Sequence, residues 1–306
     1  MSGVAGRAAV PRGTLRLWLL AARPRTLPAA VAPVLVGTSL AATQHDFKAL
    51  PFLAALVGSV FIQIGTNLSN DYSDARRGAD TEDRLGPVRV TAGGLVQPKQ
   101  VLIATYVAFG VAVLAGAYLI ATAGWELLLV GAASILAGVL YTGGPRPYGY
   151  EGLGEVFVFL FFGVVAVAGS YFAQVEELTW EAFGLAVPVG LLAASILVVN
   201  NVRDLETDRR AGKRTLAVRL GRSRVRGLYA AMVYLAFLAA PVPWLAGSPD
   251  LSAWVLLPFA ALPLAVPVVR VVRNRADGPS LNGALARTGM LQLVFCALLS
   301  AGILAS

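Results

Sequence analysis

Apolar runs of membrane-spanning length recur along nearly the whole chain, separated by short connections rich in glycine, proline and charge. The runs fall at roughly 26–43, 51–70, 100–121, 125–141, 154–173, 182–201, 226–246, 251–271 and 286–305. They predict an all-α, polytopic membrane protein with nine transmembrane helices. Prolines within the runs (Pro28, Pro33, Pro188, Pro258, Pro263 and Pro267) are tolerated in membrane helices and are expected to kink them. Residues 1–16, rich in Arg, Gly and Ala, read as a short disordered lead with no cleavable signal peptide. A single domain over 17–306 is expected to follow.

Two of the runs end in polar clusters that break the apolar pattern. If the second helix continues through Asp74, then Asn67, Asn70, Asp71 and Asp74 lie at i, i+3, i+4 and i+7 and share one face. The sixth run closes similarly. Asn201, Asp204 and Asp208 fall at i, i+3 and i+7, and Asn200 joins them four residues before Asp204. A solvated helix end just outside the bilayer is the plain reading of one such cluster. Two clusters of one design, each closing an apolar helix, point instead to a shared site, because buried amides and carboxylates are costly without a ligand.

Charge placement sets the topology. Counting connections along nine spans, all of the 25 Lys and Arg residues except Lys48 fall on one side. That side is cytoplasmic by the positive-inside rule, so the N-terminus is expected inside and the C-terminus outside. Four crossings separate the two clusters, so both open at the cytoplasmic face. The equivalent placement hints at a duplicated four-helix unit, without a clear residue-level repeat.

Composition agrees and narrows the chemistry. The 306 residues are 57% hydrophobic and 14% charged, with mean hydropathy +0.70, where a soluble domain carries about 25% charged residues. The net charge of +8 belongs to the membrane edge, and no nucleic-acid partner is expected. The lone cysteine, Cys296, excludes an intrachain disulfide, and the lone histidine, His45, excludes a multi-histidine metal site. Carboxylates facing each other suggest two divalent cations, with Mg²⁺ completed by substrate phosphates the natural choice. Arg89, Arg146, Arg203, Lys213 and Arg214 are candidate phosphate contacts or, equally, topological anchors. A diphosphate at the membrane edge with an apolar cavity behind it describes an isoprenoid diphosphate. Its carbocation would need dry, aromatic walls, for which Tyr141, Tyr148, Phe157, Phe161, Phe162 and Tyr171 are candidates.

Asn70-Asp71-Tyr-Ser-Asp74 and Asp204-Leu-Glu-Thr-Asp208 resemble the two aspartate-rich motifs of the UbiA superfamily of intramembrane aromatic prenyltransferases, over essentially the whole chain. Arg23-Pro-Arg25, Arg84-Leu-Gly-Pro-Val-Arg89 and Gly212-Lys213-Arg214-Thr-Leu are most similar to its menaquinone-pathway branch. The resemblance implies Mg²⁺-dependent transfer of a polyprenyl group from polyprenyl diphosphate to 1,4-dihydroxy-2-naphthoate, with decarboxylation to demethylmenaquinone, in a bacterial cytoplasmic membrane. It implies Asn67, Asn70, Asp71, Asp74 and Asp80 around one metal and Asn201, Asp204 and Asp208 around the other, with Asp71, Asp74, Asp204 and Asp208 catalytic. Arg89, Tyr141, Arg146 and Lys213 would face the diphosphate, and Arg23 or Arg25 the acceptor carboxylate. Gly78 stands where much of the superfamily has a third acid, leaving Asp80 or Asp83 for that role. Another aromatic acceptor, 4-hydroxybenzoate or homogentisate, is the nearest alternative. A CDP-alcohol phosphotransferase would carry its acids in one continuous run, which is absent. A secondary transporter would place its polar site at the bilayer midplane. The pattern sets no oligomeric state.

Overall fold

A computed structural model describes residues 13–45, 47–79 and 85–306. Among these residues the chain is entirely helical, without a strand. The principal helices are α1 (Thr14–Ala22), α2 (Pro28–Gln44), α3 (Ala49–Arg76), α4 (Pro98–Ala123), α5 (Glu126–Leu140), α6 (Gly154–Val175), α7 (Trp180–Arg210), α8 (Leu216–Leu220), α9 (Arg222–Ala239), α10 (Val242–Leu245), α11 (Ala253–Asn274) and α12 (Gly278–Leu304). Most of the 1–16 lead lies outside the described residues, and its last three residues begin α1.

A helix occupies each of the nine expected ranges. Six of them, α3, α4, α6, α7, α11 and α12, are long and apolar enough to cross a bilayer. A seventh arises if α1 and α2, bent by 53° at their junction, count as one span. The 15 residues of α5 span about 22 Å, short of a hydrocarbon core about 30 Å thick. The 18 residues of α9 begin with Arg222, Arg224 and Arg226. Length and composition alone therefore carry six or seven crossings. The expected proline distortion appears in α11, which opens as a 3-10 segment over Ala253–Ala261 containing Pro258.

The main core is built from α2, α6, α7, α9, α11 and α12, with α7 at its centre. A π-turn over Leu160–Val165 lets α6 press onto α7. There a Cβ on Gly163 would stand 2.6 Å from Gly190 Cα, so glycine is what permits the approach. On the other flank, α3 packs closely with α4, and α5 rests on both, while α6 packs on α2 and α7. This division leaves a space between the two groups of helices.

Candidate active site

Both motif helices stop in the same way. At the end of α3, Gly78 N–H donates to Ala75 O (3.2 Å) and Ala79 N–H to Asp74 O (3.0 Å). At the end of α7, Gly212 N–H donates to Arg209 O (3.2 Å) and Lys213 N–H to Asp208 O (2.9 Å). Both glycines have positive φ, 64° and 73°, as this glycine-terminated cap requires. The shared cap aligns the two helices residue by residue: Asn67 with Asn201, Asn70 with Asp204, Asp74 with Asp208 and Gly78 with Gly212. A short repeat is thus present at the residue level. It also explains the missing third acid, because Gly78 is where α3 ends. Asp80 and Asp83 lie outside the described residues.

The two ends meet over one cavity of about 460 Å³. Asn67, Asn70 and Asp74 line it from α3, and Asn201, Asp204 and Asp208 from α7. Lys213 fixes the juxtaposition, its ammonium lying 4.0 Å from Asp74 Oδ1 and 4.0 Å from Asp208 Oδ1. Asp74 also accepts from the Tyr150 hydroxyl at 2.5 Å and from Arg89 at 3.1 Å. Asp204 takes two hydrogen bonds from its neighbour Arg203, at 2.8 and 2.5 Å. The same guanidinium donates to Asn200 and Asn282, each at 2.7 Å. Every carboxylate of the pole thus faces a cation.

The asparagines are oriented from behind. Asn67 donates to Ala22 O (3.0 Å) and Thr26 Oγ1 (3.3 Å), and Asn201 donates to the buried Glu155 at 2.8 Å. With their amino ends engaged, these side chains have their carbonyl oxygens left to offer the cavity. Asn70 Oδ1 accepts from Thr142 at 2.9 Å. Asp71 is placed differently. It does not line the cavity, and its two oxygens accept from the backbone N–H groups of Val90 and Thr91, each at 3.1 Å.

Behind the polar pole the cavity follows α5 from Tyr141 to Leu127, about 20 Å along the helix axis. Val113, Leu119 and Ile120 of α4 form part of its apolar wall. Aromatic rings line the other side. Tyr148 meets Tyr141 edge-on at 5.5 Å and stacks on Phe157 at 4.0 Å, and Phe161 continues the row. Burial pushes the Tyr148 phenol up, and its hydroxyl donates to Ala137 O at 2.8 Å.

Arg23, Arg89, Tyr141, Phe162 and Lys213 line the cavity. Arg146 and Arg214 are exposed and off the cavity wall. Arg203 is spent on Asp204, and Tyr171 lies far from the pole, donating to Gln44. Tyr150, Glu155, Thr142 and Thr26 also hold site side chains, though the motif spacing does not point to them. Only Glu155 carried a sequence signal, as an acid inside an apolar span.

Among the described residues no three His, Cys, Asp or Glu side chains gather closely enough to hold a metal by themselves. The donors facing the pole are nonetheless all oxygens, from amides and carboxylates, which is the set a hard divalent cation accepts. The residues fit such an ion once Arg89, Lys213 and, at Asp204, Arg203 give way.

The described structure is thus an apolar helical bundle whose polar pole joins two carboxylate-bearing helix ends over an aromatic-walled cavity. The chain belongs to the UbiA prenyltransferase family, which it matches over residues 30–301, and it is a prenyltransferase. It is 44% identical over 279 residues to the 1,4-dihydroxy-2-naphthoate octaprenyltransferase of Mycobacterium leprae, covering 91% of this chain and 92% of that one. The enzymes of the same name from Escherichia coli (38%, covering 89% of each chain) and Bacillus subtilis (34%, covering 95% and 92%) are also similar. In fold the chain resembles a UbiA homolog from Archaeoglobus fulgidus bound to GPP and Mg²⁺, with TM-score 0.67 at 15% identity over 95% of this chain and 100% of that one.

Proposed function

We propose that this enzyme transfers a polyprenyl group from its diphosphate to 1,4-dihydroxy-2-naphthoate, in a Mg²⁺-dependent reaction that also releases the ring carboxylate and yields demethylmenaquinone. The observation that carries the site is Lys213 standing between Asp74 and Asp208, which puts both motif helices at one pole of one cavity. The acceptor is supported by the names of the relatives at 34–44% identity.

Asn67, Asn70 and Asp74 on α3, with Asn201, Asp204 and Asp208 on α7, would hold Mg²⁺, which when bound supplies Lewis-acid charge to the leaving diphosphate. Arg89 and Lys213 are already aimed at the pole, and a diphosphate offers them oxygens in place of the carboxylates they now hold. As the allylic C–O bond breaks, the Tyr148–Phe157–Phe161 row that lines the cavity keeps water from the cation. Arg23 enters the cavity at the bend between α1 and α2, where its φ of 55° is unusual for a residue with a side chain. It is the residue assigned to the acceptor carboxylate. Nine crossings with this pole at the cytoplasmic surface complete the reading, supported by the near-complete segregation of basic residues.

The test is transfer in membranes from a polyprenyl diphosphate to 1,4-dihydroxy-2-naphthoate or 4-hydroxybenzoate, with Mg²⁺ or with EDTA. Mg²⁺-dependent prenylated naphthoquinone, with none from hydroxybenzoate, is expected. Product from hydroxybenzoate alone would move the enzyme to another acceptor. For orientation, aqueous thiol labelling of Lys48→Cys from outside and of Arg146→Cys from inside is expected, and the reverse pattern would overturn it.

A further inference from the structure

We infer that Asp71 is a positioning residue and not a metal ligand. It clamps the turn that delivers Arg89 to the pole. Residues 89–96 form a compact turn closed by its own backbone: Gly93 N–H donates to Arg89 O (2.9 Å), and the N–H groups of Leu95 and Val96 both donate to Val90 O (2.9 and 3.0 Å). Like the first turn of a helix, such a turn leaves its leading N–H groups without partners of its own. Val90 and Thr91 are the first two of those groups, and Asp71 accepts both, one per carboxylate oxygen, as an N-cap supplied by a different element.

Three further observations agree. The clamp is buried, with Asp71 2% and Val90 1% exposed, and Val90 packs in an apolar cluster with Leu68 and Val101. Arg89, the residue just before the clamped amides, reaches Asp74 at 3.1 Å, so one face of α3 grips the turn twice, once by its backbone and once by its arginine. The register shared by the two helix ends also places Asp71 opposite Leu205, an apolar side chain 1% exposed. The second half of the pole therefore forms without a carboxylate at this position. The link to diphosphate binding rests on the function proposed above; the clamp itself does not.

The test compares wild type with Asp71→Asn and Asp71→Ala in detergent. Hydrogen exchange at the Val90 and Thr91 amides reads the clamp, and a Mg²⁺ titration with a geranylgeranyl diphosphate KM reads its consequence. The alanine variant is expected to exchange these amides faster and to raise the donor KM about 10-fold, the scale of a lost charge-assisted hydrogen bond. The Mg²⁺ activation constant should stay within about twofold, and the asparagine variant, which keeps one acceptor oxygen, should fall between. In an Arg89→Ala background, Asp71→Ala should add less than about twofold, because the two act through one contact. A roughly 10-fold rise in the Mg²⁺ constant of Asp71→Asn, with exchange at Val90 and Thr91 unchanged, would overturn the inference. If Asp71→Ala fails to fold, Asp71→Asn is read alone. If no donor–acceptor pair gives product, exchange still decides: fast amides with Mn²⁺ binding retained support the clamp, and slow amides overturn it.

Discussion

The helices α3 and α7 end in the same cap and the same polar register, yet they sit in different surroundings. In the apolar window of α7, 72% of residues are buried inside the protein, against 17% for α3. The charges are wired accordingly. On α7, Asp204 is neutralised by its own neighbour Arg203, which is held in turn by Asn200 and by Asn282 of α12. On α3, the carboxylates are satisfied from a distance, by the 89–96 turn and by Tyr150. At the pole itself both ends are buried, but one half is held by neighbours on α7 and α12 and the other by connections that reach α3 from elsewhere. Similar sequence patterns thus give two half-poles that draw their neutralising partners from different places, with Lys213 shared between them.

The comparison can be broken most forcefully at Asp74, where Tyr150, Arg89 and Lys213 converge. Asp74→Asn is expected to lower transfer on the order of 10²-fold or more while the protein still purifies folded. A near-normal rate would show that the α3 side does not hold the charge of the reaction. Next is Arg203→Met. Removing this buried guanidinium strands Asp204, so a loss of about 3–5 kcal/mol of stability is expected, seen as a lower Tm in detergent. Arg89→Met should show the reverse balance, with a raised donor KM and a smaller stability change. Similar Tm losses in the two variants would erase the distinction between the halves. Tyr150→Phe removes a hydrogen bond to a carboxylate, worth about 1.5–3 kcal/mol, and should cost roughly 10-fold or more in kcat/KM. Glu155→Ala frees the Asn201 amide and should raise the Mg²⁺ requirement about 10-fold, with Glu155→Gln milder. The smallest effect is expected at exposed Arg146, where alanine should change kcat/KM by no more than about twofold.

The helices were legible because apolar length and glycine or proline breaks are local properties of the chain, and the carboxylates because helical spacing is too. What spacing on one helix does not reveal is the partner that arrives from elsewhere. Tyr150 and Glu155 come from segments far from both motifs in sequence, and the amides that hold Asp71 come from a turn whose Gly93-Gly94 pair marks a turn but not its partner. Side-chain direction was equally hidden. Arg146 and Tyr171 are of a suitable type, yet one is exposed and the other reaches Gln44, away from the pole. The aligned caps were present in the sequence as Asp74-Ala-Arg-Arg-Gly78 and Asp208-Arg-Arg-Ala-Gly212. They become readable as a repeat only when both glycines are seen to end a helix at the same register.

The central claim is that one metal–diphosphate pole is shared by α3 and α7. The most direct measurement is anomalous diffraction from the protein loaded with Mn²⁺ and a non-cleavable prenyl thiodiphosphate. Metal peaks inside the cavity, touched by Asp74 from one side and by Asp208 from the other, with Lys213 turned onto the phosphate, are the predicted result. Metal reached by the residues of one helix alone, with Lys213 still between the two aspartates, would contradict it.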